Sequence, residues 1–129
     1  MGETTKVDPI KPHREGTALY DSRNYEDAID KFLQASQLYE KLGDFFDSSY
    51  TLFKAAECNY ILEDYEIAAE RFLQAADKML ERGFDRLAPS SLEYAIDCYK
   101  AAGNEKGSKV TEVKKKIEEL KKKLEAQAF

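Results

Sequence analysis

The 129 residues contain no tryptophan, one histidine, two cysteines and three prolines. Each shortage closes off a class of function. A zinc site needs about four ligands, and the single histidine, His13, has no glutamate three residues before it to begin a carboxylate-bridged di-metal motif. Cys58 and Cys98 lie far apart in helical patterns, which suits buried reduced thiols and not a disulfide framework. No apolar run approaches the roughly 18 residues a membrane helix needs, and Met1 to Ile10 lack the apolar core of a signal peptide. There is no phosphate-cradling glycine loop and no Gly-x-Ser-x-Gly elbow. The expectation is a cytoplasmic chain without cofactor or enzymatic activity.

Charge is present in quantity but unevenly placed. Residues 1–99 carry 11 Lys/Arg against 20 Asp/Glu, a net of −9, and residues 100–129 carry 9 Lys against 5 Glu, a net of +4. A nucleic-acid binder of this size is usually basic throughout, because phosphate neutralisation supplies most of its affinity. The acidic body argues against nucleic acid as a partner, and only the basic C-terminal helix keeps that reading alive.

The dominant feature is an internal repeat of 40 residues. Asn24-Tyr25-Glu26-Asp27-Ala28 aligns with Asp64-Tyr65-Glu66-Ile67-Ala68, Phe32-Leu33-Gln34-Ala35 with Phe72-Leu73-Gln74-Ala75, and Gly43 with Gly83, making 8 identities in 20 positions. Leu52, Ala55 and Cys58 match Leu92, Ala95 and Cys98 at the same offset. One period thus contains two different segments. Both have the three- and four-residue apolar spacing of amphipathic helices. Gly43, Gly83 and Gly103 supply stop signals, Asp44 and Asp85 are expected N-caps, and Pro89 suits a first helical turn. The spacing predicts six helices near 12–22, 24–41, 44–62, 64–82, 85–102 and 104–127. A helical hairpin cannot bury its apolar face alone, whereas stacked hairpins cover one another. Residues 1–11 are read as a flexible N-terminal segment, 12–103 as helical repeats, and 104–129 as a capping helix of the same domain.

These residues resemble the tetratricopeptide repeat superfamily. Gly16, the Asn24-Tyr25 turn, Ala28, Phe32 and Ala35 match its motif, as do Ala56, the Asp64-Tyr65 turn, Ala68, Phe72 and Ala75. The third unit departs from it, with Glu105, Ser108 and Glu112 in place of the tyrosine, alanine and aromatic. The 40-residue period exceeds the usual period of about 34 and is similar to that of the soluble NSF-attachment proteins. The resemblance implies an all-α, right-handed solenoid of three hairpins whose first helices line a concave groove. It places Tyr20, Tyr50, Phe53, Glu57, Tyr60, Glu93 and Asp97 in that groove as partner-binding residues. The Lys/Asn/Arg clamp of co-chaperone relatives is absent, since His13, Thr17, Lys54, Ser90 and Tyr94 stand at its places. Aromatic residues with carboxylates between them favour a basic or amphipathic peptide or helix.

The last segment carries Val110, Val113, Ile117, Leu120 and Leu124 at heptad spacing, flanked by Lys114–Lys116 and Lys121–Lys123. Capping of the solenoid is the expected role, since a terminal repeat needs a polar back. Self-association into a homo-oligomer through this seam or the groove is the alternative. The expected function is a non-enzymatic protein–protein interaction module, an adaptor or scaffold.

Overall fold

The computed structural model describes residues 7–128. Six helices follow one another: α1 (Ile10–Asp21), α2 (Tyr25–Lys41), α3 (Phe45–Ile61), α4 (Tyr65–Glu81), α5 (Ala88–Ala101) and α6 (Ser108–Gln127). Each packs most closely on its neighbour in sequence, giving three stacked hairpins. The expected all-α hairpin solenoid is what the chain forms.

Local chemistry explains the boundaries. Asp44 caps α3, its carboxylate accepting from the Asp47 N–H at 3.1 Å. Gly43, Gly83 and Gly103 take φ of 78°, 80° and 85°, the left-handed conformation that ends a helix at least expense to glycine. Helix α1 begins at Ile10, inside the segment expected to be flexible. The Asp8 carboxylate accepts from the Ile10 N–H at 3.1 Å, and Pro12 falls in the first turn, where no N–H is needed. The rest of that expected segment, residues 1–6, lies outside the described residues.

Two starts differ from expectation. Helix α5 begins at Ala88 and not at 85, because the Asp85 carboxylate is drawn 2.9 Å from Lys123 of α6 instead of capping its own chain. Pro89 still stands in the first turn of α5. Helix α6 begins at Ser108 and not at 104, after a further turn through residues 104–107.

The core repeats with the sequence. Phe32 and Phe72 are buried at the centres of the first two hairpins, facing Gly16 and Ala56. A β-carbon on Gly16 would lie 2.9 Å from the Phe32 ring, so the first crossing is the tighter one. Tyr20 meets Tyr25 edge to face at 5.5 Å, and Tyr60 meets Tyr65 at the same distance, each pair closing a hairpin turn. In the third hairpin Lys100 and Glu105 occupy those places as an ion pair at 4.0 Å. Arg23 and Glu63 adopt φ of 65° and 66° where the third hairpin has Gly103. A side-chain-bearing residue in that region stores roughly 1–2 kcal/mol of strain.

The interfaces between hairpins use two chemistries at one place. Ser36 and Ser48 exchange hydrogen bonds across α2 and α3, each hydroxyl donating to the other's carbonyl at 2.8 and 2.9 Å. Forty residues on, the same positions are Ala76 and Ala88, both fully buried. Ser36→Ala alone is expected to lower stability by about 1 kcal/mol, because the Ser48 carbonyl loses the hydroxyl that donates to it, while the Ser48 hydroxyl keeps its bond to the carbonyl of residue 36. Adding Ser48→Ala should cost less than a second such step, since Ala/Ala is already accommodated at the other interface. Denaturant titration of the four-member cycle reads this coupling.

The third hairpin has lost register. Helix α4 buries Ala69, Phe72, Ala76 and Met79, which the repeat projects onto 109, 112, 116 and 119. Helix α6 buries Val110, Val113, Ile117 and Leu120 instead, one residue later and so about 100° around the helix. Its heptad seam is consumed inside the chain. Leu124, at the end of that seam, is half-buried against the same core. Three of the six flanking lysines pair outside α6, with Lys116 3.4 Å from Asp77, Lys121 3.2 Å from Glu93 and Lys123 2.9 Å from Asp85.

Candidate functional site

All seven expected contact residues lie on the first helices of the hairpins, α1, α3 and α5. Their surroundings divide them. Tyr20 is half-buried, with the Lys54 ammonium 3.9 Å from its ring centroid, and Lys54 in turn donates to Glu57 at 2.9 Å. The structure thus joins Tyr20, Lys54 and Glu57 into one unit across α1 and α3. Burial opposes the charge on Lys54, yet the Glu57 hydrogen bond and charge hold its ammonium above the ordinary lysine value. Burial and the Glu57 carboxylate push the Tyr20 phenol upward, against the pull of Lys54.

Phe53 is half-buried, its ring edge-on to Phe72 at 5.1 Å and to Tyr94 at 5.6 Å. Tyr94, which also stacks on Phe72 at 5.3 Å, is the exposed ring of that group. The exposed large apolar side chains of the first helices are Ile10 and Phe46 near their N-termini and, beside the expected contact residues, Tyr50 at 43%, Tyr60 at 45%, Ile61 at 42% and Tyr94 at 47% exposure. Tyr94 and Lys54 were missed as site residues. Lys54 stands three residues before Glu57, a helical i,i+3 pair, which was the available signal.

Glu93 and Asp97 are exposed on α5. Glu93 is engaged by Lys121, whereas Asp97 has no ion pair among the described residues. The acidity expected of this face is thus largely answered from within the chain. At its other end His13 accepts or donates a 2.7 Å hydrogen bond with the Tyr39 hydroxyl, and its ring lies 6.0 Å from that of Tyr50. His13 joins α1 to α2 and braces the face.

Among the described residues, no group of three or more His, Cys, Asp or Glu is placed to hold a metal ion. Cys58 and Cys98 are buried at equivalent repeat positions, and desolvation pushes each thiol up to about 11. With so little thiolate, neither should react with an alkylating reagent in the native state at pH 8, and both should react in denaturant. Mass spectrometry after a timed pulse of iodoacetamide checks this. No described helix is long and apolar enough to cross a membrane.

The geometry defines a class: a tetratricopeptide-like stack of helical hairpins, rigid inside, presenting an aromatic face along its first helices. The model of the soluble NSF attachment protein family matches residues 11–128. The chain belongs to that family, whose name describes attachment to a protein partner and whose fold is a helical scaffold. No curated protein matches the chain.

Proposed function

We propose that this chain is a non-enzymatic adaptor that holds an amphipathic helix or peptide of a partner protein against the face formed by α1, α3 and α5. The observation that carries this reading is the exposure of Tyr50, Tyr60 and Ile61 on α3 and of Tyr94 on α5, two of the first helices. Tyrosines provide large contact area with few rotors to immobilise, and an apolar stripe on a partner helix can seat among them. Tyr20, Phe53 and Glu57 support the surface from beneath or within it, while Asp97 and, after release from Lys121, Glu93 meet basic flanks of the ligand. In this family a partner of the NSF type is the natural candidate by name, and the chemistry to be recognised is an apolar stripe with lysine or arginine beside it.

The experiment is a titration of two designed helical peptides that share a leucine stripe and differ in their flanks, lysine in one and glutamate in the other. Binding of the lysine-flanked peptide, with the glutamate-flanked one weaker, is the expected result. Equal binding of both contradicts the electrostatic part of the reading, and binding of neither contradicts the whole.

A further inference from the structure

Tyr99 is 7% exposed, and its hydroxyl is the buried side-chain polar atom without a hydrogen-bond partner among the described residues. It lines a cavity of about 270 Å³ between α4, the end of α5 and the start of α6, which Glu66 and Glu70 of α4 also line. An orphaned buried hydroxyl calls for an explanation, since such a group forfeits about 1–3 kcal/mol.

The repeat supplies one. In each of the first two hairpins the second helix sends a cation to the first: Lys31 reaches Glu15 at 3.4 Å, and Arg71 donates to the buried Asn59. Asn59 is the repeat counterpart of Tyr99. The counterpart of Arg71 is Thr111 by the 40-residue offset and Glu112 by the rotated register of α6, and neither can donate a cationic hydrogen bond. The third hairpin therefore has an unpartnered hydroxyl where the second has the Asn59 amide oxygen, and it lacks the guanidinium. Burial, and after it the Glu70 carboxylate, raises the Tyr99 phenol above its ordinary value.

We propose that this cavity is a receptor for an arginine side chain presented by a partner protein, held by Glu66, Glu70 and the Tyr99 hydroxyl in the place that Arg71 fills in the second hairpin. Two carboxylates suit a monovalent planar cation, which a guanidinium supplies with donors for each acceptor. Lys109 also lines the cavity and has no acidic partner among the described residues. Its flexible stem lets the ammonium turn to water when the ligand enters. The site is separate from the first-helix face and stands or falls independently of it.

The test is a titration of the full chain with N-acetyl-arginine amide, followed through backbone amide shifts, with the neutral isostere N-acetyl-citrulline amide as control. The expected result is saturable shifts at Glu66, Glu70 and Asn104 with the arginine probe only. Glu70→Gln should weaken binding by about tenfold or more, as loss of a charge-assisted bond implies, and Tyr99→Phe should weaken it while keeping the fold. Lys109→Ala should bind at least as tightly as the unaltered chain. Free arginine should bind no better than the capped form, and a clear preference for it would overturn the protein-ligand assignment. Equal shifts from citrulline, indifference to Glu70→Gln, or loss of binding in Lys109→Ala would each overturn the proposal.

Discussion

Phe72→Ala is expected to lower the unfolding free energy by about 3–5 kcal/mol, the range for emptying an aromatic site in a packed core. Phe72 is 1% exposed and sits at the meeting of three elements. Its ring contacts Phe53 of α3 and Tyr94 of α5, and its backbone carbonyl accepts the buried Ser91 hydroxyl at 2.6 Å. The backbone bond survives the substitution, so the loss measures ring packing. Collapse of the site is hindered because Ala56, Ala68, Ala69, Ala75 and Ala76 around it are small and already fully buried. Chemical denaturation followed by circular dichroism reads the effect. A loss below about 1 kcal/mol would mean that the stack does not depend on this hub.

The second large effect falls on binding. Tyr60→Ala and Tyr94→Ala are each expected to weaken the lysine-flanked helical peptide by about 30-fold, as central aromatic contacts commonly do. Both side chains are nearly half exposed, so their removal should leave stability close to that of the unaltered chain, Tyr94 losing somewhat more through its stacking on Phe72. Glu57→Lys acts differently. It breaks the Lys54 hydrogen bond, places two ammonium groups side by side beneath Tyr20, and so disturbs the face without deleting an aromatic contact. Calorimetric titration of the three variants distinguishes a contact effect from an electrostatic one, because only the Glu57→Lys loss should shrink as salt is added.

Much of this architecture is legible in the sequence because it repeats. The 40-residue offset carries Tyr25 onto Tyr65, Phe32 onto Phe72 and Cys58 onto Cys98, and the structure uses each pair alike. Local signals for helix ends work where the partner is local, as at Asp44 and Gly43. They fail at Asp85, whose carboxylate answers Lys123 from 38 residues away. The left-handed turns at Arg23 and Glu63 have no glycine to announce them, although Gly103 occupies the equivalent turn. The rotated face of α6 follows from replacing the aromatic with Glu112, which cannot be buried, so that Val113 takes the interior instead.

The face itself is less readable than the fold. Its seven expected residues do fall on the first helices, but exposure decides which of them meet solvent. Phe53 turns inward because Phe72 and Tyr94 enclose it, and the charge on Glu57 and Glu93 is met by Lys54 and Lys121. The Lys54–Glu57 pair is local to α3, but the enclosure of Phe53 and the Glu93–Lys121 pair join different helices, which composition and spacing do not specify.

The aromatic face of α1, α3 and α5 is the proposed binding surface. Amide and tyrosine-ring shifts of the full chain titrated with the lysine-flanked helical peptide test it most directly. Saturable shifts concentrated at Tyr50, Tyr60, Ile61, Tyr94 and Asp97 are the expected result. Shifts concentrated on α2, α4 or α6 would contradict the claim, whatever the affinity.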